Sequence, residues 1–111
     1  MALLVLAAPI LPGKSDDFRR FAQEAVGNQQ EYEGYRRRCG LTRELAWIQP
    51  TPQGDLLIVL LEGDDPIKGN RIFAASDHPY DRWFKQQLQS ITGIDFNQPL
   101  PGAPELTAFN R

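Results

Sequence analysis

Two side chains in this 111-residue sequence are suited to moving a proton, Glu44 and His78. His78 is the sole histidine, and no other side chain has an ordinary pKa so close to neutrality. It stands in Ser76-Asp77-His78-Pro79, at the start of a helical stretch. There it can serve as a base or a haem ligand, or be a loop histidine beside a helix-initiating proline. Glu44 shares a strand with Arg43 and Trp47, and alternation puts those two on one side and Glu44 on the other. A Glu44 turned into an apolar interior would have a raised pKa and suit proton transfer. Turned outward, it would be a charge that guards a sheet edge. Glu44 and His78 are thus the catalytic candidates, with Arg43, Trp47 and Tyr80 as candidate ligand contacts.

Other polar clusters point to structure. Asp64-Asp65 reads as a helix cap, since two adjacent acids are too few for a calcium or magnesium cage. Asp81 suits the positive end of a helix dipole, and Arg36, Arg37 and Arg38 suit a negative one. Cys39 is the only cysteine, which excludes an internal disulfide and a multi-cysteine metal site. No phosphate loop, G-x-S-x-G elbow or zinc spacing is present. No metal and no cofactor is expected.

The elements that position these residues follow from patterning. Leu3 to Ile10 and Leu56 to Leu61 are strands apolar on both faces. Ser15 reads as the N-cap of a helix with Phe18, Phe21, Ala22, Ala25 and Tyr32 on one stripe, kinked or divided at Gly27-Asn28 and closed by Gly40. Arg43 to Glu62 reads as a hairpin turning at Thr51-Pro52-Gln53-Gly54. Asp65 and Pro66 open a second helical region, which Ser76 to Pro79 interrupts before a stripe of Tyr80, Trp83, Phe84, Leu88 and Ile91 ending at Gly93. Asn97 to Pro104 is a Pro-rich loop, and Glu105 to Phe109 a last short strand.

The resulting order is β-α-β-β-α-β, the ferredoxin-like split pattern, in a single α+β domain over residues 1–111. Helices pack on one face of an antiparallel sheet. Its first and third strands, the two that are apolar on both faces, fall in the middle. About six aliphatic side chains remain on the other face, and leaving them wet forfeits on the order of 10 kcal/mol. A second copy packed sheet to sheet is the simplest cover, so a homodimer through the open sheet face is expected.

Leu41 to Pro66 (LTRELAWIQPTPQGDLLIVLLEGDDP) and Ser76 to Phe84 (SDHPYDRWF) resemble an uncharacterised family of small bacterial proteins within the dimeric α+β barrel superfamily. That superfamily includes antibiotic-biosynthesis monooxygenases, stress-responsive barrel proteins and haem-degrading monooxygenases. The resemblance implies the barrel dimer. The Asn, Trp and His constellation of the antibiotic monooxygenases has no positional counterpart here, and no residue role is carried over.

Two functional expectations result. One is a homodimeric barrel that binds a small, largely apolar molecule, with monooxygenase-like chemistry that needs no cofactor. The other is a non-catalytic stress-related or accessory protein whose apolar sheet serves dimerisation. Net charge of −2 and the absence of aromatics from the two central strands argue against nucleic acid. The opening MALLVLAAPILPG lacks a basic n-region and is about half the length that spans a bilayer, so it reads as a strand. No membrane association is expected, and the location is expected to be cytoplasmic.

Overall fold

Six consecutive aliphatic residues, Leu56 to Leu61, make the spine of the sheet. A computed structural model describes residues 2–98. In it β3 (Gly54–Gly63) is flanked by β1 (Ala2–Pro9) and β2 (Leu41–Thr51), both antiparallel to it, in the order β1-β3-β2. Leu4, Leu6 and Ala8 stand opposite Leu61, Val59 and Leu57 on one side of β3. Glu44, Ala46 and Ile48 stand opposite the same three residues on the other. These nine positions form one face of the sheet, because side chains alternate along each strand.

Helices cover that face. The first helical stripe divides at Asn28 into α1 (Ser15–Gly27) and α2 (Gln29–Cys39), and Gly40 closes α2 in the left-handed region at φ 67°. Pro66 begins α3 (Pro66–Ala75), with the Asp65 carboxylate accepting from the Lys68 amide at 3.1 Å. Pro79 begins α4 (Pro79–Thr92), which Gly93 ends at φ 77°. A single apolar core joins Leu4, Leu57 and Leu61 of the sheet to rings from all four helices. Phe84 is its hub: Phe21 meets it edge-on at 4.9 Å, Tyr35 stacks at 4.9 Å, and Phe73 stands edge-on at 5.4 Å. Such aromatic pairs add about 0.5–1.5 kcal/mol each beyond burial.

Among the described residues, no element covers the opposite face of the sheet. Leu3 is 58% exposed, Trp47 48% and Val5 41%, with Leu45 also exposed and Leu56, Ile58 and Leu60 half-buried among them.

One sequence expectation needs correction. Ser15 is not a cap: Lys14 holds the N-cap position without a side-chain bond, and the Ser15 hydroxyl instead donates to Asp55 Oδ2 at 2.6 Å. That contact ties the start of α1 to the hairpin. The sheet has three antiparallel strands among the described residues, with β1 at one edge. The expected strand Glu105 to Phe109, and most of the loop before it, lie outside the described residues.

A candidate cavity between sheet and helices

The direction of Glu44 depends on one irregularity in the sheet. Leu41 pairs with Gly63 and Arg43 with Glu62, so Thr42 is an extra residue in the ladder. A bulge of this kind shifts the phase of alternation. Leu41 and Glu44, three apart, therefore both face the helices, while Arg43 and Trp47 face outward. Thr42 Oγ1 donates to Glu62 O at 3.1 Å, and Arg36 Nη1 donates to Thr42 O at 3.0 Å, which pins the bulge.

Inward, Glu44 meets two phenols. The Tyr32 hydroxyl donates to Oε1 at 2.9 Å and the Tyr35 hydroxyl to Oε2 at 3.1 Å. Both tyrosines come from α2, where a spacing of three places them on one helix face. Burial pushes the Glu44 pKa up, opposed by the two phenol hydrogen bonds and by the positive charge of Arg36. The Tyr32 and Tyr35 hydroxyls are in turn held well above their ordinary value, by burial first and by the Glu44 charge second.

This trio lies on the wall of a cavity of about 750 Å3 between the sheet and the helices. That is within the usual range for small-molecule sites. The wall is mostly apolar: Leu6, Leu57, Val59 and Leu61 from the sheet face Phe18, Phe21, Phe73 and Phe84 from the helices. Glu44 is the only charged residue on it among those described, and Gln23 and Asn70 are its amides. Gln23 and Val26 on α1 and Ala46 on β2 line the cavity and are exposed, which puts the mouth between those elements.

The other expected site residues stand elsewhere. His78 is the N-cap of α4, with Nδ1 accepting from the Tyr80 amide at 3.3 Å, and does not line the cavity. Arg43 is on the outer face, paired with Glu62 at 3.0 Å, and Trp47 is on that face too. Tyr80 is buried behind the wall, where its hydroxyl donates to Ala25 O at 2.8 Å. Of the five, only Glu44 reaches the cavity.

Sequence reasoning missed its partners. Tyr32 read as core, and Tyr35 was not singled out. The signal available was two tyrosines three apart on the helix that leads into the Glu44 strand.

A second polar cluster holds α2, α3 and α4 together. The Asp81 side chain is fully buried and accepts from Arg38 Nη2 at 2.6 Å, Arg38 Nε at 3.1 Å and Ser76 Oγ at 2.6 Å. It sits in the first turn of α4, as its sequence position suggests, and is also the partner of a guanidinium. Lys85, also buried, donates to Ala74 O at 2.9 Å and Ser76 O at 2.7 Å, and so satisfies carbonyls at the end of α3. Burial lowers the Lys85 pKa, and the nearby Asp81 charge opposes that shift.

Among the described residues, no group of three or more His, Cys, Asp or Glu is placed to hold a metal ion, and no helix is long and apolar enough to cross a membrane. No family model, curated protein or solved structure matches the chain.

Proposed function

We propose that this chain binds a small, largely apolar molecule in the cavity between its sheet and helices, with Glu44 as the group that receives or returns a proton. The observation that carries this reading is a lone carboxyl with a raised pKa on the wall of an apolar space of about 750 Å3. Carboxyls in such surroundings are suited to acid–base work near neutrality. The chemistry that fits is proton transfer of the cofactor-independent, monooxygenase-like kind, with Tyr32 and Tyr35 positioning the carboxyl. The working unit is a cytoplasmic homodimer of ferredoxin-like barrel subunits, joined through the outer sheet face where Leu3, Val5, Leu45 and Trp47 are exposed. That exposed face also favours a second reading, a non-catalytic accessory protein in which dimerisation is the sheet's whole purpose.

Native mass spectrometry of freshly purified protein tests both. A dimer with additional bound mass, lost in Glu44→Gln and kept in His78→Ala, is the expected result. A dimer that stays bare, and takes up no apolar probe, would leave the accessory reading in place. A monomer would overturn the joined-sheet arrangement.

A further inference from the structure

The hydrogen-bonding inventory of the cavity restricts the polar end of its ligand. This step rests on the reading that the cavity is a ligand site. A tyrosine hydroxyl has one proton to donate, and both wall tyrosines spend theirs on Glu44, at 2.9 and 3.1 Å. An ionised carboxylate only accepts. What Glu44, Tyr32 and Tyr35 still present together is therefore oxygen lone pairs. No lysine, arginine or histidine lines the cavity among the described residues, and the amides of Gln23 and Asn70, which can donate, carry no charge to offset that of Glu44. Arg36 stacks over the Tyr32 ring, 5.3 Å from its centroid, with Nη1 turned to Thr42 O, and is not on the wall.

A ligand ending in a carboxylate or phosphate would meet those oxygens without a donor between them, and like charges would repel. A neutral hydroxyl would satisfy one lone pair and leave the carboxylate charge uncompensated. A protonated amine supplies up to three donors and a positive charge in direct contact, which Arg36, turned away to Thr42 O, does not.

We infer that the cavity takes a small apolar molecule bearing a protonated amine, with the ammonium on the Glu44 carboxylate between the Tyr32 and Tyr35 oxygens and the apolar body against the aromatic wall.

Three probes of equal chain length separate the possibilities: octylamine, octanol and octanoate, each titrated calorimetrically into the full chain near pH 7.5. Octylamine is expected to bind about tenfold or more tighter than octanol, the scale of one charge-assisted hydrogen bond. Octanoate is expected to bind weakest. In Glu44→Gln the amine should fall to the level of octanol, while octanol changes less than about threefold. Tyr32→Phe provides a second variant, which frees Oε1 and retains the preference for the amine. Ala46→Trp, at the exposed mouth, should block every probe that enters.

Octanol or octanoate binding as tightly as octylamine would overturn the inference. If that binding were also blocked by Ala46→Trp, the cavity would stand as a ligand site with a different ligand class. An amine preference that persists in Glu44→Gln would assign it to the acidic surface and overturn the inference as well. Binding of none of the three would overturn both the inference and the site.

Discussion

Arg38 and Asp81, 43 residues apart in sequence, meet as a two-pronged pair, with Nη2 2.6 Å from Oδ1 and Nε 3.1 Å from Oδ2. The carboxylate is fully buried, while the guanidinium keeps a 30% exposed side chain. The pair fastens the end of α2 to the first turn of α4, and Ser76 adds the linker between α3 and α4 to the same carboxylate.

Removing one partner strands the other. Arg38→Ala leaves a buried carboxylate with only Ser76, and should cost about 3 kcal/mol or more of unfolding free energy. The paired replacement Arg38→Met with Asp81→Leu should cost less than Arg38→Ala alone, because neither change then leaves a charge uncompensated. Urea denaturation of the original protein and these two variants measures this. Equal losses for the single and paired changes would count against a desolvated ion pair.

Glu44 should make stability depend on pH. Its native pKa is raised above the ordinary 4.5, so its contribution is full below that value and is lost as pH rises through the native one. Arg36 is the cation beside it, and the other groups coupled to its charge are Tyr32, Tyr35 and Cys39 from α2 and Tyr80 from α4, all of which burial raises, so that none of these four loses its proton between pH 4 and about 8. Glu44→Gln, which keeps an acceptor for the phenols, should therefore gain on the original protein as pH rises from about 4 to about 7.5. Differential scanning calorimetry reads the gap in Tm. A gap that does not change with pH would mean that Glu44 ionises in the native chain as easily as in water.

The outer sheet face gives a solution-state prediction. Leu45 and Trp47 are exposed in the single chain, so Leu45→Arg with Trp47→Arg should leave the fold intact, with a change in stability of about 0.5 kcal/mol or less per site. In sedimentation velocity the same pair should convert a dimer to a monomer. Unchanged sedimentation, with native circular dichroism, would show that this face is not the contact.

Two glycines should respond in opposite directions to a methyl group. A Cβ on Gly69 would lie 2.3 Å from Cys39 O, a backbone atom that cannot yield cheaply, whereas Gly27 has open space around it. Gly69→Ala should lose about 1–3 kcal/mol through overpacking. Gly27→Ala, at the end of α1, should gain up to about 1 kcal/mol from a stiffer unfolded chain and better helix propensity. Thermal melts of both decide it, and a stabilised Gly69→Ala would show that α3 stands further from α2.

Local features of this fold were legible in the sequence where the cause was local. Pro66 and Pro79 start helices because their fixed φ suits the first turn, and Gly40 and Gly93 end them in left-handed backbone. The six-residue aliphatic run of β3 announced a strand with neighbours on both sides. The Thr42 bulge was not legible, and without it the inward turn of Glu44 could not be derived from alternation. Asp81 read as a dipole charge because its partner lies on another helix, and pairing over 43 residues leaves no periodic trace. The cavity was anticipated as a space between sheet and helices. Its tyrosines were not, since a phenol on a core stripe looks the same whether it is packing or bonding.

Cys39 offers a way to watch this architecture open. Its thiol is buried where α2 meets α3, and burial pushes its pKa up to about 12, so in the closed chain it is both shielded and almost wholly unreactive. As the only cysteine in the sequence, it needs no engineered label. The rate at which an alkylating reagent modifies it therefore clocks the parting of the helical layer, residue-specifically and in the unaltered protein.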